Sequence, residues 1–158
     1  MAARRVGGGD RAQTRRMTSL LAFTCLLAWC AWLSAIDLRE HRLPNPATAA
    51  GAVAILGYAA SQGSLGVAAI GALLLAGCYL VVHLTAPAAL GAGDVKLAVG
   101  LGAATALGGA PAWVLAALLA PVFTATAGLI ALGRGRPGPL AHGPAMCAAT
   151  LTALAVAG

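Results

Sequence analysis

Two aspartates, Asp37 and Asp94, lie beside long apolar segments and are the residues best suited to chemistry. The chain has only four acidic residues, and the other two, Asp10 and Glu40, lie next to arginines and are interpreted as solvated charges. An ionisable side chain near bilayer depth is costly unless a partner or a cavity receives it. Two close carboxyl groups cannot both ionise easily, so such a pair holds one shared proton. One member then acts as a base toward water while the other donates a proton to a peptide carbonyl.

The composition identifies the environment of these two aspartates. Hydrophobic residues make up 60% of the chain, charged residues make up 9%, and the mean hydropathy is +0.88. A soluble domain is about one quarter charged, so this chain cannot cover a water-facing surface. Apolar segments recur along the whole length without the alternation of barrel strands, and lipid admits only helices and closed barrels. We therefore predict an all-α, polytopic membrane helix bundle.

Polar and helix-breaking residues divide the apolar sequence into about six transmembrane helices. The predicted spans are residues 17–36, 46–61, 65–84, 95–107, 112–132 and 144–158. A spanning helix needs roughly 20 residues, so the fourth and sixth spans are short for a full crossing. Asp37 follows the first span and Asp94 precedes the fourth, so both acids are expected at helix ends on the same side of the membrane.

The ten basic residues predict the orientation of the bundle. None of them lies in the loops after the second and fourth spans, and five follow the odd-numbered spans. These five are Arg39, Arg42, Lys96, Arg134 and Arg136. Basic loops face the cytoplasm, which places both aspartates at the cytoplasmic face.

The other five basic residues lie in an N-terminal tail, residues 1–16, ahead of a membrane-embedded domain at residues 17–158. When these five are counted, each side of the membrane has five basic residues, and the charge rule gives no orientation. Our hypothesis is that translation starts at Met17, which removes the tie. The alternative is that Met1 is the true start and that the tail acts like the basic region of a signal peptide.

Three short segments occur in an order that points to a known family. They are DLREHRLPN at residues 37–45, GAGDVKL at residues 91–97 and PLAHGPAMC at residues 139–147. Together they resemble the motifs of the type IV prepilin peptidases, which are membrane aspartic proteases of the Gly-x-Gly-Asp type. The resemblance extends from about Leu20 to the C-terminus and includes Gly143-Pro144 in the third segment.

The resemblance implies an aspartic endopeptidase in the inner or plasma membrane. Such an enzyme removes the short basic leader from type IV prepilin-like precursors at the cytoplasmic face. Asp37 and Asp94 match the catalytic pair of the family, and neither a metal nor another cofactor is implied. The partners are the prepilin-like substrate and the lipid bilayer. The net charge of +6 fits membrane orientation and gives no reason to expect nucleic-acid binding.

Four further residues are expected to support the pair. Gly91 and Gly93 allow close approach of the backbone beside Asp94. Lys96 matches a recurrent lysine of the family and stabilises negative charge near the pair or, equally well, marks the cytoplasmic side. Asn45 either hydrogen-bonds the loop or begins the second helix.

The chain also departs from the family pattern. His142 stands where the family usually has phenylalanine, and His83, inside the third span, is interpreted as a structural residue of the bundle interior. The larger bacterial enzymes have an insertion with paired CxxC motifs that is linked to N-methylation. Here the cysteines are scattered at Cys25, Cys30, Cys78 and Cys147, without zinc-ligand spacing. We therefore expect no methyltransferase activity and a minimal enzyme that serves Flp/Tad-type or related precursors.

Three alternatives remain open at the level of sequence. A proton-coupled transporter also uses paired membrane aspartates, although near the bilayer midplane rather than at helix ends. Presenilin-type intramembrane proteases share the Gly-x-Gly-Asp motif, but they are longer and have further motifs that this chain lacks. A non-catalytic pilus-assembly or secretion protein has no need for either aspartate.

Overall fold

The fold consists of helices joined by short loops. The computed structural model describes residues 6–87, 90–135 and 140–157, and these ranges contain no strand. The helices are α1 (Val6–Glu40), α2 (Asn45–Ser61), α3 (Leu65–Thr85), α4 (Ala92–Leu107), α5 (Ala110–Gly133) and α6 (Gly143–Ala157). The predicted all-α bundle is confirmed, and each predicted span corresponds to one helix.

Three of these helices are long and apolar enough to cross a membrane. They are Arg16–Glu40 within α1, Leu65–Thr85 and Ala110–Gly133, with mean hydropathies of 1.9, 2.4 and 2.1. Large apolar side chains point outward along them, as shown by exposed fractions of 68% for Leu20 and 73% for Leu73. So much exposed apolar surface suits lipid rather than water. The chain is therefore a membrane protein.

Helix α4 lies at the centre of the bundle, where it packs against α2, α3, α5 and α6. Its side chains Leu97, Ala98 and Leu101 are almost completely buried. The approach of α3 is especially close, because a Cβ atom added to Gly102 would lie 2.5 Å from the carbonyl oxygen of Gly71. Small residues at such positions let membrane helices pack backbone to backbone. The start of α4, which includes Asp94, is thus held from several sides.

Helix α1 packs against α6 and, less extensively, against α2. Trp29 connects α1 to α2 by donating its indole N–H to the carbonyl oxygen of Ala47 at 3.0 Å. Its ring lies where a Cβ atom on Gly51 or Gly100 would stand, so these two glycines make room for it. These contacts fix α1 laterally and place its C-terminal turn near the start of α4.

Helix boundaries differ from the sequence prediction at several places, including the start of α1 at Val6 instead of Met17, and two of the differences affect the aspartates. Helix α1 continues for about one turn beyond Ile36, so Asp37 is a helical residue. The charged residues after Ile36 are compatible with a helix, which ends only at His41, where φ is 49°. Helix α4 begins at Ala92 instead of Val95, so Asp94 lies in its first turn. Both carboxyl groups are therefore held on helical backbone.

Part of the predicted N-terminal tail lies outside the described residues, namely residues 1–5, and so does Arg136 from the predicted basic loops. From Val6 onward the backbone of the tail continues directly into α1. The choice between Met1 and Met17 as the start remains a prediction.

Candidate active site

The two aspartates lie in one cleft at the end of the bundle where α1 finishes and α4 begins. The cleft has a volume of about 320 Å³. Its other lining residues are His41, Arg42, Leu43, Asn45, Gly91, Ala92, Gly93 and Lys96. The structure therefore brings together all six residues that the sequence predicted for the site, although more than fifty positions separate Asp37 from Asp94.

Asp37 is buried and is held by the start of α6. Its side chain is only 6% exposed, and its Oδ2 accepts a hydrogen bond from the backbone N–H of Gly143 at 3.1 Å. The first N–H groups of a helix have no partner within that helix, so the carboxylate satisfies one of them. A Cβ atom on Gly143 would lie 2.7 Å from the same oxygen. A larger residue at position 143 would therefore displace the carboxyl group of Asp37.

Asp94 is held in a similar way by its own helix. Its side chain is 8% exposed, and its Oδ2 accepts the backbone N–H of Gly91 at 3.1 Å. Burial raises the pKa of Asp94 to about 6; the hydrogen bond from Gly91 lowers it, the charge of Asp37 raises it, and that of His83 lowers it. Each aspartate thus accepts one glycine N–H, and the two carboxyl groups interact electrostatically.

Leu43 packs between the segments that hold the two aspartates. A Cβ atom on Gly93 would lie 3.1 Å from Cβ of Leu43, and one on Gly143 would lie 3.5 Å from its Cδ1. The loop after α1 therefore fits closely against the starts of both α4 and α6. This close fit gives Gly93 a defined role at the site.

Lys96 and Asn45 form a polar contact beside the aspartates. The Lys96 ammonium group donates a hydrogen bond to Oδ1 of Asn45 at 2.8 Å, and both side chains are exposed. Asn45 is also the first residue of α2, followed by a proline in the first turn. Asn45 thus begins α2 and accepts a hydrogen bond from a residue of α4 rather than from the loop, and the contact holds a positive charge beside the cleft.

Several residues of the site were not predicted as members of it. His41, Arg42, Leu43 and Ala92 line the cleft, and Gly143 and His83 lie beside it. Gly143 was noted only as part of a motif, and its N–H gives no sign in the sequence that it faces Asp37. His83 lies in the last turn of α3, and its Nδ1 lies 2.8 Å from the carbonyl oxygen of Leu90. Since a carbonyl only accepts, Nδ1 donates, and His83 secures the loop that leads to Gly91. In the sequence, His83 lies shortly before the loop that precedes the GAGD segment, and this position could have indicated a contact with that loop.

The arrangement is suited to acid–base chemistry with a single shared proton. Two buried carboxyl groups that interact, one with a pKa of about 6, favour a state in which only one of them is ionised. Such a pair titrates as a unit. Among the described residues, no three His, Cys, Asp or Glu side chains are grouped so that they could hold a metal ion.

Comparison with known proteins identifies a family. The model of the type IV leader peptidase family, Peptidase_A24, matches residues 24–130, which include Asp37, Asp94 and every residue lining the cleft. The match ends before His142 and Gly143. No curated protein and no solved structure matches the chain.

Proposed function

The chain belongs to the type IV leader peptidase family, and we propose that it is an aspartic endopeptidase with Asp37 and Asp94 as its catalytic pair. Its substrates are type IV prepilin-like precursors of the Flp/Tad or a related type. The observation that supports this most strongly is the shared cleft, in which each buried carboxyl group accepts one backbone N–H. Two fixed carboxyl groups that line one cleft are what a metal-free aspartic mechanism needs.

The proposed reaction uses the shared proton twice. The ionised aspartate takes a proton from water, whose oxygen attacks the carbonyl carbon of the scissile peptide bond. The protonated aspartate gives its proton to the carbonyl oxygen, so no full negative charge develops there. When the tetrahedral intermediate collapses, the C–N bond breaks, the leaving amine takes the proton that came from water, and one hydroxyl group of the intermediate returns its proton to the other aspartate, which restores the pair. The nearby Lys96 charge favours the ionised member throughout.

The membrane face of the cleft is proposed from the distribution of charge. Arg39, Arg42, Lys96 and Arg134 lie at helix ends or loops on the side of the cleft, and the loops after α2 and α4 have no basic residue, whereas Arg11, Arg15 and Arg16 lie toward the opposite end of α1. With a translation start at Met17 these three are absent, and the remaining asymmetry supports a cytoplasmic cleft. A membrane-impermeant thiol reagent should therefore label Gln62→Cys in intact cells and Arg134→Cys only after permeabilisation. The reverse pattern would place the cleft outside.

The activity is tested by co-expression with the prepilin-like precursors of the same genome, with leader removal followed by mass spectrometry. Asp37→Asn and Asp94→Asn remove ionisation with little change in volume. Glu40→Gln is the matched control, because Glu40 is an exposed acid in the same last turn of α1 as Asp37. We expect cleavage by the wild type and by Glu40→Gln and none by either aspartate variant.

Two results would refute this function. Equal processing by all four proteins would remove the aspartates from the mechanism. In the second, the wild-type protein is inserted at normal abundance and cleaves none of the precursors. That result would favour proton-coupled transport or an assembly role instead.

A further inference from the structure

His142 lies directly before α6 and contacts two other helices through its ring. Its Nδ1 is 2.6 Å from the hydroxyl oxygen of Thr124 in α5, and its Nε2 is 3.2 Å from the hydroxyl oxygen of Tyr79 in α3. The imidazole and phenol rings lie 5.6 Å apart at an angle of 42°. One side chain therefore connects the start of α6 to both α5 and α3.

The donors and acceptors of this cluster balance when the imidazole is neutral. Thr124 donates its hydroxyl hydrogen to the carbonyl oxygen of Ala120 at 3.1 Å. Its oxygen then accepts from Nδ1–H of His142, which leaves Nε2 to accept from the hydroxyl of Tyr79. Burial lowers the pKa of His142, which agrees with a neutral ring. Every polar group is thus satisfied in a single arrangement, which defines the orientation of the ring.

The backbone of His142 joins this cluster to Asp37. Its carbonyl oxygen accepts the N–H of Met146 at 3.1 Å and so begins α6. The next amide, that of Gly143, donates to Oδ2 of Asp37. Because a peptide unit is planar, fixing His142 on one side restricts the direction of the Gly143 N–H on the other.

We propose that His142 is a positioning residue, whose ring, held between Thr124 and Tyr79, directs the Gly143 N–H onto the carboxylate of Asp37. The expected effect of His142 on catalysis rests on the proposed function. The expected effect of His142 on the hydrogen bond from Gly143 to Asp37 does not. His142 does not line the cleft and touches no reacting atom in this assignment. It acts through Gly143.

The contrast with phenylalanine, the usual family residue at this place, sharpens the proposal. A phenyl ring fills a similar volume and forms neither hydrogen bond. In this chain His142→Phe leaves the part-buried hydroxyl of Tyr79 without its partner. Removing one partner of a buried hydrogen bond costs more than replacing both by apolar groups. The double variant of His142→Phe with Tyr79→Phe should therefore recover part of the stability that His142→Phe loses.

The Gly143 hydrogen bond can be observed without any activity assay. His142–Gly143 is the only His–Gly pair in the sequence, so labelling with ¹³C-carbonyl histidine and ¹⁵N-glycine selects the Gly143 amide by NMR. In His142→Phe the carbonyl label moves to phenylalanine, since neither Phe23 nor Phe123 precedes a glycine. Asp37→Ala defines the resonance of the amide without its carboxylate partner.

We expect a downfield Gly143 amide proton in the wild type and a shift toward the Asp37→Ala position in His142→Phe. An amide that keeps its wild-type resonance in His142→Phe would overturn the proposal. The Tyr79→Phe and His142→Phe double variant should keep the shifted resonance, because it still lacks both hydrogen bonds of the imidazole, even though it recovers stability.

Cleavage kinetics supply the second test, with a matched pair of threonines. Thr124→Val removes a hydroxyl bonded to His142, whereas Thr126→Val removes one that bonds only the carbonyl oxygen of Val122, at 2.7 Å in the same helix. Misplacing a catalytic group lowers kcat by about tenfold or more with little effect on KM. We expect this in His142→Phe, a smaller loss in Thr124→Val and none in Thr126→Val.

The two proposals fail in different ways. If the wild type cleaves no precursor, the proposed function fails and the Gly143 resonance alone decides the role of His142. If the wild type cleaves and His142→Phe changes KM instead of kcat, a positioning role is excluded.

Discussion

The backbone nitrogen of Gly143 lies 3.1 Å from Oδ2 of Asp37, although 106 positions separate the two residues in the chain. This contact joins the last turn of α1 to the first turn of α6. An N–H donor favours the ionised form of a carboxyl group. The start of α6 also has a positive partial charge, which acts in the same direction. The contact therefore sets the orientation of one member of the proposed pair.

Gly143→Ala should abolish most of the cleavage activity. The added Cβ would lie 2.7 Å from Oδ2 and 3.3 Å from Cγ of Asp37, so the carboxyl group must move. We expect kcat to fall by about 100-fold, because a displacement of about 1 Å in a catalytic group has effects of that size. The measurement is the rate of precursor cleavage by purified protein in detergent.

Gly77→Ala is the control for this variant. Gly77 also lies in a helix, but a Cβ atom there would meet nothing within 4 Å. We expect kcat within about twofold of the wild type, since alanine is the better helix former. Comparable losses in both variants would show that the effect is not specific to the contact with Asp37.

Gly91 offers a way to remove the hydrogen bond to Asp94, although a proline there also places its ring Cδ where the N–H now points at the carboxylate, so the carboxyl group must move. Its φ of −75° suits proline, which has no N–H to donate, and an added Cβ would lie 3.4 Å from Oδ2 of Asp94. We expect Gly91→Pro to have a kcat/KM about tenfold below that of Gly91→Ala, which keeps the donor. The acid limb of the pH profile should also move to higher pH in Gly91→Pro. Equal kinetics in the two variants would show that the Gly91 donor is dispensable.

Much of the fold was predictable because hydropathy and helix breakers are local signals. The limits of α2 and α3 follow from Pro46, Gly63 and the apolar segments on either side, and the structure agrees closely with both. The ends of α1 and α4 were less accurate. There the sequence has charged or glycine-rich residues that suggest a loop, whereas the helix continues through them. Local composition does not show that Asp94 itself accepts a hydrogen bond from Gly91, the residue directly before its helix.

The site was predictable to the extent that its side chains are unusual for their surroundings. Two acids in an apolar chain stand out, and the family resemblance linked them. The backbone donor of Gly143 gives no such signal, because its role depends on where α6 packs. The His142 contacts were equally hidden, since its partners lie 18 and 63 positions away. Their proximity exists only in the folded bundle.

The contact between Lys96 and Asn45 should have a small, charge-dependent effect. Both side chains are exposed, and exposed polar pairs contribute about 0.5 kcal/mol. If Lys96 stabilises charge at the cleft, Lys96→Met should lower kcat/KM by about fivefold, and high salt should reduce this difference. Asn45→Ala should cost about twofold, because the lysine remains but is less well held.

The double variant separates this effect from a purely structural one. If Asn45 acts only by holding Lys96, combining Lys96→Met with Asn45→Ala should be no worse than Lys96→Met alone. Fully additive losses would show that the two side chains act independently. A salt-independent loss in Lys96→Met would argue against a role for its charge.

The raised pKa of Asp94 makes the stability of the fold depend on pH in a defined direction. Burial holds this pKa at about 6 in the folded protein, against 3.8 for an unperturbed aspartate. The folded state therefore binds the proton more tightly than the unfolded state. The stabilisation that this tighter proton binding supplies is complete below about pH 4 and is lost as the pH rises through about 6. Above that pH the contribution of Asp94 to stability no longer changes.

Asp94→Asn should remove this dependence, because asparagine is neutral throughout. The full pKa difference corresponds to about 3 kcal/mol, and solvent screening in the open cleft reduces it to about 2 kcal/mol. The Tm of Asp94→Asn relative to the wild type should therefore rise by about 5 °C between about pH 4 and about pH 6, then level off. Thermal unfolding in detergent measures this difference. The control is Glu40→Gln, which replaces an exposed acid and should leave the pH dependence of the Tm as in the wild type. A relative Tm that stays constant or falls over this range would contradict the burial of an ionisable Asp94.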